Sequence, residues 1–383
     1  MDEEEEKKVE VLGSPNRGNP LVEPTFKMVD LYRTVSTPNG VIEYLFHYNI
    51  LAPTRTCPGK DGHLCGRNMG LSKHGSGDGQ IWRCGVRKCR KKLSLRHHSF
   101  FSRSHLPLTQ LLVLVYYNFR ELQMRQAAFD TGISFNSQTL VDWASFTREC
   151  MALSLMKFFR LLGGPDRVVE IDEAKWFRNK FHRGRLRKGG WVLGFVEVLD
   201  SGGTGDCLML RVNNRKAETL IPMIKKFVRP GSRIRTDEWR AYSSLTRCGY
   251  VHATVNHSQG FANEQGDTTN AIEGLWKHAR FFFPIGGTRI EYLNSYLLAF
   301  CWKKKFGNKY EGWQTFLNHM ALVYNPYRRD GNRYLEEGVA WEWYWHPPGT
   351  DPELEGDDEE EEEEEVKAED DEISSSDDSE WEG

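Results

Sequence analysis

The spacing of apolar residues predicts helices in the first half of the chain. An apolar stretch over residues 40–51 predicts a short helix that ends before Pro53. Between Pro107 and about Leu162, apolar positions recur at helical spacing and predict three helices. These three helices cover residues 108–119, 125–132 and 137–159.

The pattern changes to strands after residues 163–165, which read Gly-Gly-Pro. Short runs rich in β-branched residues follow, separated by turns that contain Gly and Asn. The order β-β-β-α-β-α-α predicts one mixed α/β domain over roughly residues 165–325. The predicted strands are residues 167–173, 191–200, 207–212 and 233–236, and the predicted helices are residues 217–228, 239–248, 269–282 and 292–305.

Charge is concentrated in separate segments of the chain. The formal net charge is −3, but residues 351–383 contain 20 Asp and Glu with one Lys, and residues 1–10 contain six acidic and two basic residues. Residues 11–350 therefore hold 48 basic and 28 acidic residues, a net charge of +20. A body this basic favours a polyanionic partner such as DNA. The acidic tail is expected to be disordered, and to aid solubility, to screen the body from non-specific DNA or to bind basic proteins.

Other bulk properties narrow the class of protein. A hydrophobic fraction of 39% and twelve tryptophans indicate a folded protein. No apolar run of about 18 residues occurs, so no membrane span is expected. The first ten residues are acidic and lack the apolar centre of a secretion signal, and together with a DNA partner this leads us to expect a nuclear protein. In that compartment, eight cysteines are expected to be metal ligands or free thiols rather than disulfides.

Four of the cysteines form a candidate zinc site. They are Cys57, Cys65, Cys84 and Cys89. Four thiolates suit tetrahedral Zn²⁺. Seven residues separate Cys57 from Cys65 and four separate Cys84 from Cys89, however, whereas a tight C-x2-C knuckle has two. His63 or His74 could replace one cysteine as a ligand. Alternatively, the four cysteines are small buried hydrophobic residues without a metal. The basic and aromatic run that follows suits phosphate contacts, with Arg90, Lys91, Lys92 and Arg96 as the candidates.

Three acidic residues occupy positions where a metal-dependent site could form. Asp172 ends an apolar strand, Asp237 follows a short strand, and Glu273 lies in the first turns of a helix. Strand ends and helix N-termini often gather site residues at one edge of a sheet. Carboxylates suit Mg²⁺, and two such ions can stabilise the entering and leaving oxygens of phosphoryl transfer.

Each carboxylate also has an ordinary structural explanation. A strand-end Asp can cap a turn, and a Glu in a first helical turn interacts favourably with the helix dipole. Glu170, Glu173 and Glu238 are neighbours that could substitute, and strand alternation places Glu170 on the same face as Asp172. A basic run after Asp172 could hold phosphates or form a solvated hairpin; its members are Lys175, Arg178, Lys180, Arg183, Arg185, Arg187 and Lys188.

Three long stretches resemble the catalytic domain of the Merlin superfamily of DNA transposons and its ISXO2-like insertion-sequence relatives. They are VEIDEAKWFRNKFHRGRLRKGGWVLGFVEV, VNNRKAETLIPMIKKFVRPGSRIRTDEWRAY and GYVHATVNHSQGFANEQGDTTNAIEGLWKHAR, and the similarity extends upstream through WRCGVRKCRKKLSLRHHSFF. The resemblance covers roughly residues 50–310. It implies an RNase H-like core with an acidic D-D-E triad, and a zinc-ribbon-like module before it.

The resemblance assigns roles to individual residues. By motif match it implies Asp172 in EIDE, Asp237 in TDEW and Glu273 in NAIEGLW as the triad. The HxxxNHS-like segment makes His257 a candidate for a contact to DNA phosphate, with a structural histidine as the alternative. Trp239, Tyr242 and Trp276 also match, and we interpret them as packing residues around the acidic ligands.

These observations predict a DDE-type DNA transposase that uses Mg²⁺ or Mn²⁺. The resemblance implies binding to terminal inverted repeats, cut-and-paste transposition and a homo-oligomeric complex. The alternatives are a domesticated DNA-binding protein without catalysis and a nuclease that acts on RNA–DNA hybrids.

The predicted domain organisation has six parts. The second and third predicted helices in residues 104–163 are compatible with a helix-turn-helix whose second helix enters a DNA major groove, although many helical hairpins share this pattern. The parts are a disordered N-terminus (1–24), a segment with the zinc-ribbon-like module (25–103, module 57–89), the helix-turn-helix-like segment (104–163), the catalytic domain (164–328), an aromatic extension (329–350) and a disordered acidic tail (351–383).

Overall fold

The structure is a computed structural model. It describes residues 26–60, 65–75, 77–176, 190–237, 239–255, 268–284, 288–307 and 311–327. The predictions for residues 1–24 and 329–383, for the basic residues 178–188 and for His63, Glu238 and His257 lie outside the described residues. Every helix within the described ranges is too short or too polar to span a membrane.

The amino-terminal part contains two short helices and a small antiparallel sheet. Pro38 starts the second helix, and the Thr37 hydroxyl caps it by accepting the N–H of Gly40. This helix confirms the prediction before Pro53. The elements are α1 (Met28–Val35), α2 (Pro38–His47), β1 (Gly70–Lys73), β2 (Gln80–Arg83) and β3 (Lys92–Ser94), with β2 between β1 and β3.

Three helices follow close to the predicted bounds: α3 (Leu108–Phe119), α4 (Met124–Thr131) and α5 (Gln138–Lys157). Gly132 ends α4 with a φ of 68°, a left-handed conformation that glycine adopts without strain. Ser137 caps α5 through the N–H of Thr139. Beyond Thr147, most side chains of α5 are buried. The second helix of the proposed helix-turn-helix is therefore mainly a core helix, and only its first turns remain available for a groove.

A five-stranded mixed sheet forms the second half of the described chain. Its order is β6-β5-β4-β7-β8; β4 and β6 run antiparallel to β5, whereas β4, β7 and β8 are parallel. This α/β arrangement fits an RNase H-like transposase domain. The strands are β4 (Val168–Trp176), β5 (Gly190–Val198), β6 (Thr204–Val212), β7 (Arg233–Thr236) and β8 (Val251–Thr254).

Helices cover both faces of this sheet. Phe227 of α6 packs against Phe195 on one face, and Trp276 of α7 packs over Gly194 on the other. Helix α8 lies against β6 and also against α5, so the helical segment and the sheet share one apolar core. The helices are α6 (Ala217–Phe227), α7 (Asn270–Phe282), α8 (Leu293–Phe306) and α9 (Gly312–Val323).

The prediction of a helix over residues 239–248 is wrong. That segment forms two 3-10 turns, Arg240–Tyr242 and Thr246–Cys248. Tyr242 and Leu245 are both fully buried, and their i, i+3 spacing suits a 3-10 turn as well as an α-helix. Strand β8 and helix α9 were not predicted.

Candidate active site and metal centres

Asp172 and Asp237 lie side by side because of the sheet register. Glu170 of β4 pairs with Arg235 of the parallel strand β7, so the two aspartates are each two residues further along neighbouring strands. Carboxylate oxygens of Asp172, Glu173 and Asp237 lie within 4.8 Å of one another, and all three residues are half-buried. The predicted pair is therefore brought together, with Glu173 as a third member.

Trp276 orients the Asp172 carboxylate. Its indole Nε1 donates a hydrogen bond of 2.8 Å to Asp172 Oδ2. Gly194, the partner of Asp172 across β4 and β5, allows the indole to lie flat on the sheet, since a Cβ at this position would be 2.6 Å from Trp276 Cη2. The motif tryptophan therefore contacts the acidic site directly as well as packing beside it.

Glu273 is exposed in the first turn of α7, three residues before Trp276. Residues three apart lie on the same side of a helix, so Glu273 is on the side of α7 that passes over Asp172. Its carboxylate does not belong to the group of three within 4.8 Å among the described residues. Glu273 therefore lies on the helix that contacts Asp172, one turn before that contact.

Glu170 anchors the start of α7. Its buried carboxylate accepts the backbone N–H of Ile272 at 2.9 Å and lies 3.6 Å from Arg235 Nη1. Burial raises the pKa of Glu170, while the Ile272 N–H and Arg235 act in the opposite direction. Glu170 shares a face with Asp172 as predicted, but its contacts position the helix that carries Glu273.

Glu173 and Tyr242 form a buried polar pocket behind the aspartates. The fully buried Tyr242 hydroxyl is the hydrogen-bond partner of the Glu173 carboxylate, a contact that acts to lower the pKa of Glu173. Burial, together with the negative charges of Asp237 and Asp172, raises the pKa of Glu173 to about 8. A divalent cation at the cluster would favour the ionised carboxylate.

The donor set fits a hard divalent cation. Mg²⁺ binds oxygens at about 2.0–2.1 Å, so two ligands of one ion are at most about 4.2 Å apart. Three carboxylates within 4.8 Å need little movement to share one ion or to bridge two. Asp237 also caps a turn, since its Oδ1 accepts the Trp239 N–H at 3.1 Å.

The four predicted cysteines converge at a second centre. The Sγ atoms of Cys57, Cys65, Cys84 and Cys89 all lie within 4.8 Å of one another as free thiols. The Cys57–Cys89 and Cys65–Cys84 distances are 3.5 and 3.7 Å. A tetrahedral zinc site with bonds of about 2.3 Å has S···S edges of about 3.8 Å. The cluster is therefore compatible with zinc, and His74 is not a member.

The predicted DNA-contacting residues divide into two groups. Arg90 and Lys92 are exposed and Lys91 is half-buried, around the turn that leads into β3. Lys175 lies 5.4 Å from the centre of the Trp191 ring. Arg96 is only 6% exposed, and Asp78 accepts from its Nε at 2.8 Å and its Nη2 at 2.5 Å. This corrects the prediction for Arg96, because its guanidinium links two loops inside the protein.

Comparisons with known proteins agree with this arrangement. Residues 161–305 match the ISXO2-like transposase domain. An uncharacterized transposase-like protein of Haemophilus influenzae is 34% identical over 93 residues, which cover 24% of this chain and 75% of that protein. The chain belongs to the ISXO2-like transposase family.

The similarity to a less identical relative covers a longer stretch of this transposase. The male abnormal protein mab-31 of Caenorhabditis elegans is 25% identical over 189 residues, which cover 44% of this chain and 43% of the relative. The matched domain contains Asp172, Asp237 and Glu273, whereas the cysteine cluster precedes it. Membership in the family suggests a DNA-cleaving enzyme in general terms and divalent metal use.

Proposed function

We propose that this transposase is a DDE-type enzyme of the Merlin superfamily, with Asp172, Asp237 and Glu273 as its acidic triad. It would bind terminal inverted repeats, cleave the DNA and join the ends to target DNA. The observation that carries the proposal is the convergence of Asp172 and Asp237 on neighbouring strands, beneath the helix that bears Glu273.

The chain's own residues prepare this site. Trp276 donates a hydrogen bond to one carboxylate oxygen of Asp172, and the backbone N–H of Trp239 donates to one carboxylate oxygen of Asp237. Glu170 fixes the first turn of α7, the turn that carries Glu273. When bound, a pair of Mg²⁺ or Mn²⁺ ions would activate the attacking hydroxyl and stabilise the leaving oxygen.

The amino-terminal part is proposed to recognise DNA. Zn²⁺ held by Cys57, Cys65, Cys84 and Cys89 would fix the loops that present Arg90, Lys91 and Lys92. Function in the nucleus as a homo-oligomer also belongs to the proposal, as does binding of the acidic tail to basic proteins.

The decisive experiment uses the full-length protein and duplexes made from the genomic DNA that flanks its gene. Asp172→Asn, Asp237→Asn and Glu273→Gln should each lower strand cleavage with Mg²⁺ or Mn²⁺ by about 10³-fold or more, because each removes a charged metal ligand. DNA binding should change little. The matched control is Asp200→Asn, since exposed Asp200 follows β5 at the opposite end of β4.

Two results would contradict the proposal. Cleavage at the wild-type rate by a variant that carries all three substitutions would show that these carboxylates take no part in the chemistry. Specific binding by the wild type without any cleavage would favour a domesticated DNA-binding protein instead.

A further inference from the structure

An arginine is held between two tryptophans next to the carboxylate cluster. Arg215 Cζ lies 4.1 Å from the centre of the Trp191 ring and 4.4 Å from the centre of the Trp239 ring. Trp239 Nε1 also donates to the backbone carbonyl of Arg215 at 3.4 Å. The backbone N–H of Trp239 donates to Asp237 Oδ1. Trp239 therefore links Arg215 to a proposed catalytic carboxylate.

The backbone around Arg215 is also fixed. Asn214 Oδ1 accepts the N–H of Lys216 at 3.1 Å and the hydroxyl of Thr219 at 2.7 Å, which ties this turn to the start of α6. The guanidinium is therefore held from both sides and from its own backbone. Such preorganisation reduces the conformational entropy lost when a ligand binds.

A second cation lies near the same indole. Lys175 pairs with Trp191 across β4 and β5, and its Nζ lies 5.4 Å from the Trp191 ring centre. Arg215 and Lys175 thus flank one tryptophan beside the turn of Asp237.

By strand alternation, Lys175 lies on the face of β4 that carries Glu173, opposite to the face of Asp172. A phosphodiester would be attracted by these two cations. Beside the carboxylates, which carry the same sign of charge, it would need a bound divalent cation between them.

The chemistry of guanidinium explains why stacking and anion binding are compatible. Each tryptophan presents its ring face to the Arg215 guanidinium, whose N–H donors all lie in the plane of the group. In-plane donors suit bidentate binding of phosphate. Lysine offers a point charge without this planar fork.

We propose that Arg215, held between Trp191 and Trp239, forms with Lys175 a phosphate-binding site that positions the DNA backbone beside the acidic cluster. This inference rests on the proposed function, because it names the part of the substrate that the same site holds. Arg215 is a positioning residue in this scheme.

The alternative role for Arg215 is to balance the negative charge of Asp172, Glu173 and Asp237. The two roles are distinguished by binding measured without divalent metal and across salt concentrations. Loss of one phosphate contact should reduce the slope of log K against log salt by about 0.9. Loss of a charge-balancing residue should instead tighten Mn²⁺ binding and leave that slope unchanged.

The experiment uses full-length Arg215→Gln, Arg215→Lys and wild-type protein with duplex DNA from the flanks of the gene. Arg215→Gln is expected to lower the slope by about one unit, with Mn²⁺ affinity and melting temperature close to those of the wild type. Arg215→Lys should keep most of the slope but cleave more slowly at saturating DNA. Arg229→Gln is the matched control, since Arg229 is exposed and precedes the start of β7, whereas Asp237 follows the end of that strand.

Failure of this inference and failure of the proposed function give different results. An unchanged slope for Arg215→Gln, in a protein that cleaves through its triad, would overturn the phosphate site alone. A lowered slope without wild-type cleavage would support the phosphate site and contradict the catalytic proposal. A wild type that binds no duplex at any salt concentration would overturn both.

Discussion

The two candidate metal centres are built on very different scaffolds. The cysteine cluster lies among loops of a sheet whose strands have only three or four residues. The carboxylate cluster lies on a five-stranded sheet in which β4, β5 and β6 each have nine residues and helices cover both faces. Because small isolated sheets are only marginally stable, we expect the first scaffold to depend on a bound ion, whereas the second can form without one.

The difference also appears in how each centre affects stability. Zinc bound by four thiolates adds folding free energy. Without a cation, the carboxylates of Asp172 and Asp237 repel one another, and burial together with their charges raises the pKa of Glu173 to about 8, so Glu173 is mostly protonated at neutral pH. The sheet must therefore tolerate a locally unfavourable site, which its apolar core allows.

The largest predicted effect is that of zinc removal. Cys84→Ser, or chelation of a co-purified zinc ion, should expose residues 55–95 to limited proteolysis, because zinc binding contributes on the order of 10 kcal/mol in small modules. The sheet domain should stay protected, and magnesium removal should leave both regions folded. Cys248→Ser, at a dispersed cysteine, is the control. Protease resistance of Cys84→Ser equal to that of the wild type would show that the small sheet needs no metal.

An intermediate effect is expected for Gly194→Ala. The new methyl group would overlap Trp276, which should lower the free energy of unfolding by about 1–3 kcal/mol and weaken the bond to Asp172. Urea denaturation and the cleavage rate measure the two consequences. Gly203→Ala is the control, because a Cβ there is at least 3.7 Å from its neighbours. Equal stability of the two variants would show that α7 does not pack tightly on this strand.

The smallest effect is expected for Tyr242→Phe. Removing a buried hydroxyl that faces the Glu173 carboxylate should lower the free energy of unfolding by about 1 kcal/mol. Tyr250→Phe is the matched control, since the Tyr250 hydroxyl donates to the Val228 carbonyl at 3.1 Å and its loss should cost about 1 kcal/mol. A loss of stability well below that of Tyr250→Phe would show that the Tyr242 hydroxyl makes no hydrogen bond to Glu173.

Sequence patterns predicted the elements that are long or clearly punctuated. Helix α3 and strand β7 have the predicted bounds. The apolar residues of α3 are continuous, and Pro230-Gly231 marks the turn before β7, so both boundaries are clear in the sequence. Strand β8 escaped prediction because it has four residues and Val251 is half-exposed, so no alternation is visible. The 3-10 turns near Tyr242 share their i, i+3 spacing with an α-helix.

The candidate site was predictable in its charges but not in its geometry. The ends of predicted strands indicated Asp172 and Asp237, and the register of β4 and β7 makes them neighbours. The prediction that Asp172 ends its strand is wrong, because β4 continues to Trp176. Alternation along β4 separates Asp172 from Glu173, so their shared cluster depends on the approach of Asp237 from the next strand. The stacking of Arg215 between Trp191 and Trp239 joins three distant segments, which periodicity in one segment cannot indicate.

The burial of α5 has a consequence for how such proteins can be re-engineered. Its 20 residues extend for about 30 Å, from exposed first turns to a carboxyl-terminal half that packs against α8. DNA bound at the exposed end of α5 would therefore keep a fixed orientation relative to the sheet domain, because a single helix joins the two. A foreign recognition module substituted for residues 104–163 would have to reproduce the buried face of α5, or the sheet domain would lose part of its own core.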